Sequence, residues 1–441
     1  SKYIITNSDK IKINSKDVKK NDIFIALKGK KYHGNKFINN AFEAGAKYCI
    51  TDKNYKRSEY KENILIIKNT FSFLKDLSIL KRSFFYGEVV AITGSAGKTS
   101  LKEYLNFFLK KKFKVSASIK SYNNKLGVMI SILNMNIKSN FVIFELGTNN
   151  FCEIRDLTEL VKPSQMFITN ILSTHLEYFK NKKNIAIEKS DIFNKKYNPN
   201  AETLYFQMNS REEIIINKIA KKQKIKNIVK FGKTGLNCYI KNIIEKGIKY
   251  EVSLKILNKN FSFSLDKYED SQIKNLMFVL AFFVKNKINT KIITQNKIKY
   301  PEIDGRGSTH KILMNGITIN LIDQSYNANP ETMIQSIKNF SKIEKRNFQK
   351  ILILGEMNEL GSKNLNLHLK VLEETNYYLF DKVILSGDLF KKALKMFPEF
   401  KNKYIYRSTS KGIMSYLNKN LHKKAIIMAK CSNTTQVNKF V

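Results

Sequence analysis

VVAITGSAGKTSLKEYLNFFL, Val89–Leu109, is the stretch on which the reading of this chain turns. Its first four residues are apolar and rich in β-branched types, as in a buried strand. Leu101, Tyr104, Leu105, Phe108 and Leu109 then recur at the spacing of one helix face. Between the two lies Gly94-Ser95-Ala96-Gly97-Lys98-Thr99. A helix N-terminus offers unpaired N–H groups and partial positive charge to a phosphate, and Gly94 and Gly97 let the backbone come close without a Cβ in the way. Lys98 is expected to reach the β- and γ-phosphates of a nucleotide and Thr99 to ligate Mg²⁺. The common phosphate loop has four residues between its first glycine and the Gly-Lys pair; here only Ser95 and Ala96 stand there. The strand–turn–helix setting favours a nucleotide site over an ordinary junction.

Working outward, EVVAIT, FVIFEL and QMFITNI are short apolar runs of the kind that form buried parallel strands. Glu145 ends FVIFE, and a carboxylate at a strand tip beside a phosphate loop is well placed for Mg²⁺. His175 follows the third run, and Lys189 lies on a helical pattern in IAIEKSDIF; taken alone, each reads as an unremarked loop or surface residue. The fold class expected is α/β with three domains. Residues 1–84 would form a small α/β unit around DIFIAL, KFINNAFEAGA and KYCIT. Residues 85–302 would form the central parallel-sheet ATP-binding domain, and residues 303–441 a Rossmann-like domain. KILMNGITINLI reads as a hairpin turning at Asn315-Gly316, and ILILG, KVILSG and AIIMAK as strands of a second doubly wound sheet. ETLYFQM, Glu202–Met208, has the letters of a protease-cleavage scar, but it is internal and reads as a strand.

Composition narrows the class. The chain has 441 residues, 43% of them hydrophobic, which rules out disorder. No apolar run is long enough to cross a bilayer, and SKYIITNSDK has no basic segment leading into an apolar one, so a cytoplasmic location is expected. Cys49, Cys152, Cys238 and Cys431 are too scattered for a zinc site or a disulfide framework. The net charge of +41 invites a nucleic-acid reading. Its lysines, however, are spread along the chain without an arginine stripe or an aromatic-basic motif, so solvated faces are expected and no nucleic-acid partner.

The motifs together resemble the Mur ligases of peptidoglycan synthesis. They are TGSAGKTS, SYNNKLGV, FELGTNNFCEI, ITNILSTHLEYF and EKSDIF in that order, with DGRG, IDQSYNANP and LILGEMNELG further on, followed by His368. In that family the short glycine loop is the normal form. The last two motifs are similar to the branch that joins D-alanyl-D-alanine to UDP-N-acetylmuramoyl-tripeptide. The resemblance implies ATP and Mg²⁺ as cofactors, an acyl-phosphate intermediate, no membrane insertion and a monomer. It implies catalytic roles for Lys98, Lys189, His175 and Arg306, with Lys189 carbamylated. ATP would be held by Gly94, Ser95, Ala96, Gly97, Lys98, Thr99, Ser100, Asn275, Arg306, Asp323, Gln324, Tyr326 and Asn327. Metal would be held by Thr99, Glu145, His175 and Lys189. The other substrates would meet Ser15, Lys16, Lys28, Gly29, Asn123, Asn124, Asn329 and Glu356.

Several positions depart from the family pattern. Gln324 replaces an aspartate and Lys16 an arginine, which removes a charge from one site and bidentate phosphate recognition from the other. Cys152 stands for a glycine, Glu356 for an aspartate, His33-Gly34-Asn35 for Asp-Gly-His, and Asn433 for an arginine. Competing expectations are another amino-acid ligase of the family, folylpolyglutamate synthase, a nucleic-acid-stimulated NTPase, and a weakened member serving as a binding protein. The first two lack support in Tyr-Asn-Ala-Asn-Pro and in the missing Asp-Asn-Pro-Arg.

Overall fold

The computed structural model describes residues 4, 6–7, 9–29, 31–55, 61–247, 249–266, 269–294, 301–343, 347–397 and 404–441. Among these, three sheets follow one another along the chain. The first holds β1 (Ile11–Lys12), β2 (Ile23–Ile25), β3 (Tyr48–Thr51) and β4 (Ile64–Ile66), all parallel and in that order. DIFIAL and KYCIT supply its middle strands, and KFINNAFEAGA supplies a 3-10 turn leading into the helix Ile38–Glu43.

The central sheet holds β5 (Glu88–Thr93), β6 (Val115–Ala117), β7 (Phe141–Glu145), β8 (Gln165–Ile168), β9 (Thr203–Gln207), β10 (Asn227–Gly232), β11 (Cys238–Lys246), β12 (Lys249–Ile256) and β13 (Lys259–Leu265). Their order is β13-β12-β11-β10-β9-β8-β5-β7-β6. β6 to β11 pair in parallel, while β12 and β13 extend one edge in antiparallel fashion. The interior strands β5, β7, β8 and β9 are buried almost throughout and largely apolar because both faces are covered. Val90, Ile92, Ile143, Phe167 and Tyr205 pack under the helices Lys98–Leu109 and Asp270–Lys285. Val89, Ala91, Val142, Phe144, Met166 and Ile168 face the opposite side, against Lys125–Asn134 and Glu153–Val161. ETLYFQM is β9, in the interior of this sheet, with Leu204, Tyr205 and Phe206 fully buried.

The first unit leans on that second face. Ile11, Ile23, Ile25, Leu74 and Leu77 belong to the same core as Val128 and Met129. Lys81, on the helix Thr70–Ser83, is buried and donates to the carbonyls of Ile4, Asn7 and Leu133 at 2.8, 2.7 and 2.6 Å. One ammonium thus rivets the early segment, its own helix and the central domain together.

The third sheet holds β14 (Ser308–Met314), β15 (Ile317–Gln324), β16 (Gln349–Gly355), β17 (Lys382–Ser386), β18 (Tyr404–Tyr406) and β19 (Ala425–Lys430), in the order β14-β15-β19-β16-β17-β18. Only the β14–β15 hairpin is antiparallel. It turns at Asn315-Gly316, with φ of 49° and 75°, the two left-handed residues that a type I′ turn requires. No helix among the described residues is long and apolar enough to cross a membrane.

Candidate active site

β5 lies between β7 and β8, so the chain leaves it toward one edge of the sheet and later crosses to the other. Open α/β sheets bind ligands at such a switch point, beyond the carboxyl ends of the strands. The Gly94–Thr99 loop stands there. Gly94 has φ of 142°, and a Cβ on it would lie 1.9 Å from Thr169 Oγ1. Gly97 caps the helix Lys98–Leu109 at φ of 81°, with open space around it, so backbone conformation rather than room demands glycine. The loop is clasped from β8: Ser95 N–H donates to Asn170 O at 3.0 Å and Ala96 N–H to Asn170 Oδ1 at 2.9 Å. Thr169 Oγ1 donates to Ala96 O at 2.6 Å, and Leu172 N–H to Ser95 Oγ at 2.9 Å.

Lys98 is folded across the loop, its ammonium on Gly94 O at 2.8 Å. Burial lowers its proton affinity, and nearby Arg306 adds to the effect against the opposing pull of Glu145. Thr99 Oγ1 donates to Glu145 Oε2 at 2.7 Å, and Asn123 Nδ2 donates to Glu145 Oε1 at 2.8 Å. Arg306 arrives from the third domain and donates to Thr99 Oγ1 at 2.8 Å, its guanidinium 4.1 Å from the Tyr326 ring centre. Ser100 follows, half-buried in the first turn of the helix.

Lys189 overturns the surface reading that its helix position alone suggests. It is 1% exposed, and burial, reinforced by the field of Lys98, drives its proton affinity well down. A buried neutral amine is a nucleophile toward CO₂, and a carbamate would give it oxygen donors. Its neighbour Glu188 accepts N–H bonds from Cys152 and Ile154 at 2.7 and 2.8 Å, tying the turn after β7 to the Lys189 helix.

His175 sits at φ of 53° before the short helix Leu176–Phe179. Its ring contacts Glu359 of the third domain, whose carboxyl is held below the usual range by the histidine. Among the described residues no three His, Cys, Asp or Glu side chains form a ready metal cluster. Of the expected metal group of Thr99, Glu145, His175 and Lys189, the first two are in direct hydrogen-bond contact. Those two supply a hydroxyl and a carboxylate, the hard oxygen donors that suit Mg²⁺.

The domains meet across further bonds. Ser173 N–H and Oγ both donate to Glu331, the hydroxyl at 2.8 Å. A cavity of about 260 Å³ opens between Ser173, His175, Tyr326, Asn327, Asn358 and Asn433. A second, of about 560 Å³, lies between Leu176–Lys180 and Met357–Asn364.

Other expected contacts have internal partners. Asn124 and Asn329 cap helices, accepting from Gly127 N–H at 2.8 Å and Thr332 N–H at 2.9 Å. Gln324 is turned to Ser336 Oγ, and Asp323 accepts from Ser325 N–H at 2.8 Å within its own turn. Asn327 Oδ1 accepts the following N–H, of Ala328, at 2.8 Å. Glu356 Oε1 accepts Leu389 N–H at 2.6 Å, and Asn275 is buried on the helix Asp270–Lys285. Lys430, at the tip of β19, is buried with its pKa lowered to about 8 by desolvation, and reaches Asn327 O at 3.3 Å. In the first unit Ser15 and Lys16 form a 3-10 turn, and Lys28 bridges His33 around Gly29. Sequence reasoning missed Thr169, Asn170, Glu188, Glu331 and Glu359. For the first two the one signal in the chain was their place directly after the apolar run QMFI, at the tip of a strand.

A strand-tip phosphate loop, a Thr–Glu pair beside it and an arginine reaching in from a third domain define an ATP-dependent enzyme of three α/β units. The chain belongs to the Mur ligase family. Residues 92–283 match the Mur ligase middle domain, and residues 8–80 match the Mur ligase family, catalytic domain. Over 446 aligned residues the chain is 31% identical to the UDP-N-acetylmuramoyl-tripeptide–D-alanyl-D-alanine ligase of Rickettsia prowazekii (strain Madrid E), covering 99% of this chain and 95% of that one. The protein of the same name from Bacillus subtilis (strain 168) is 23% identical over 97% of this chain and 91% of its own. The fold is similar to MurF ligase from Thermotoga maritima in complex with ADP, with a TM-score of 0.80 at 23% identity, covering 99% of this chain and 96% of that one. MurF from Acinetobacter baumannii also gives 0.80, at 21% identity over 98% and 92%.

Proposed function

We propose that this chain joins D-alanyl-D-alanine to UDP-N-acetylmuramoyl-tripeptide, with ATP converted to ADP and phosphate. A carboxylate has no leaving group for an amine to displace at neutral pH. The tripeptide carboxylate therefore attacks the γ-phosphorus of ATP and ADP departs. The amine of D-alanyl-D-alanine then adds to the acyl phosphate carbonyl, loses a proton, and expels phosphate as the peptide bond forms. Phosphoryl transfer between two anions needs charge neutralisation and positioning. Lys98 would exchange Gly94 O for the β- and γ-phosphate oxygens. Arg306 would cover the transferred group from the third domain while Tyr326 keeps its plane fixed. Bound Mg²⁺, held by Thr99 and Glu145, would supply further neutralisation of phosphate oxygens, with His175 and a carbamylated Lys189 completing a second position.

The observation that carries this reading is the bond from Arg306 to Thr99, which brings the third domain onto the phosphate loop. The curated relatives support the substrate pair, since they bear that name along nearly the whole chain. On this reading Asn275, Asp323, Gln324, Tyr326 and Asn327 border the nucleotide, and Ser15, Lys16, Lys28 and Gly29 the uridine end. Asn329 and Glu356 shape the walls of the interdomain cleft. The enzyme acts as a cytoplasmic monomer without nucleic acid. Phosphate release, measured with ATP, Mg²⁺, the tripeptide precursor and D-alanyl-D-alanine and with each omitted in turn, tests it. Release that needs both peptide partners is expected. Release that needs a single amino acid instead points to another ligase of the family, and release raised by RNA to a nucleic-acid-stimulated NTPase.

A further inference from the structure

Lys102 lies one helical turn beyond Lys98, on the helix that starts at the phosphate loop. It has no exposed surface. A lysine so placed must have its charge or its N–H groups satisfied, and this one does. Its ammonium donates to Ser118 O at 2.8 Å and to Lys120 O, and pairs with Glu103 Oε1 at 2.9 Å. Lys120 is in the left-handed region, φ 46°, so the two carbonyls converge from either side of a tight turn. The segment that follows carries Asn123, whose Nδ2 is on Glu145. The segment is stitched to the same strand tip at both ends: Glu145 N–H donates to Ser118 Oγ at 3.0 Å, and Gly147 N–H to Asn123 O at 2.9 Å.

We propose that Lys102 is a positioning residue of the ligase centre: it holds the 118–124 loop so that Asn123 keeps the Glu145 carboxylate turned toward Thr99. The helix that presents Lys98 and Thr99 to the phosphates thereby also fixes the loop that orients their acidic partner. Glu103, held by the same ammonium, extends its field to Arg306. The proposal rests on the ligase reading only for what the centre does; the hold on the loop is independent of it.

The test uses the full chain with Lys102→Met. Amide exchange of the nucleotide-free protein is expected to accelerate in a 118–124 peptide and to stay unchanged in β9. In turnover, kcat is expected to fall by about 10–100-fold, the usual cost of losing a group that orients a metal-side ligand, with the KM for D-alanyl-D-alanine unmoved. Asn123→Ala should abolish the difference: the double variant should be no slower than the slower single one. Unchanged exchange overturns the proposal, as do independent, multiplying losses in the cycle. If the wild-type chain joins no peptide, the ligase reading falls, and the exchange arm still decides whether Lys102 holds the loop. Should K102M fail to fold, Lys102→Ala, which likewise offers no N–H to the two carbonyls but leaves room for water, is judged by the same outcomes.

Discussion

Two residues carry their chemistry through burial and backbone strain. Lys189 is sealed from water beside Lys98, which drives its proton affinity well down and favours the neutral amine that a reaction with CO₂ needs. Lys189→Ala is expected to cut ligation by at least about a hundredfold, the scale of losing one group that stabilises developing charge. Short carboxylates added to the assay should restore part of it; full activity of the variant contradicts the carbamate role. Cys152 stands where the family has glycine, and the structure supplies the reason: its φ is 69°. An L-residue there costs about 1–2 kcal/mol, of which glycine would return part through its freer unfolded chain. Cys152→Gly should therefore raise stability by about 0.5–1 kcal/mol, read as a higher urea midpoint at unchanged slope. A lower midpoint would mean that the Cys152 side chain, not its backbone, is what the site needs.

Among the elements, the helix Asn364–Asn376 sets the loop that meets His175. His368 is fully buried in it; its Nδ1–H donates to Asn364 O at 2.7 Å and its Nε2 accepts Met357 N–H at 3.0 Å. Burial lowers its pKa from 6.5 to about 4. Between those values the unfolded chain binds a proton that the folded one refuses. Stability is thus intact above about pH 6.5 and falls as pH drops toward 4, by up to about 3 kcal/mol. Urea unfolding at pH 7 and pH 4 should show this loss, and His368→Leu should flatten it; an equal pH dependence in the variant contradicts the assignment. The helices and strands themselves were legible. The unbroken apolar runs of β5, β7 and β8 and the Leu101–Leu109 face announced a covered parallel sheet with a phosphate loop at its tip. The Asn-Gly turn announced the β14–β15 hairpin. The partners of those elements were not legible, because a contact such as Ser173–Glu331 leaves no periodic trace in the chain.

On the scale of the whole molecule, three contacts close the third domain over the second: Arg306 on Thr99, Glu331 on Ser173 and Glu359 on His175. The sequence named Arg306 and His175 through the family resemblance but could not show that Lys189 is buried or that Gln324 turns to Ser336. Removing Arg306 should affect the assembled state more than substrate capture. Arg306→Ala is expected to lower kcat by about 10²–10³-fold while the KM for the tripeptide moves less than about threefold. A change confined to KM would place Arg306 in ground-state binding. The central claim is that the acid is activated as an acyl phosphate. Tripeptide labelled with ¹⁸O in its terminal carboxylate tests it most directly, in one turnover with ATP and D-alanyl-D-alanine, by mass analysis of the released phosphate. The account predicts one labelled oxygen carried from the carboxylate into phosphate for each peptide bond formed. Peptide product formed with unlabelled phosphate would contradict it.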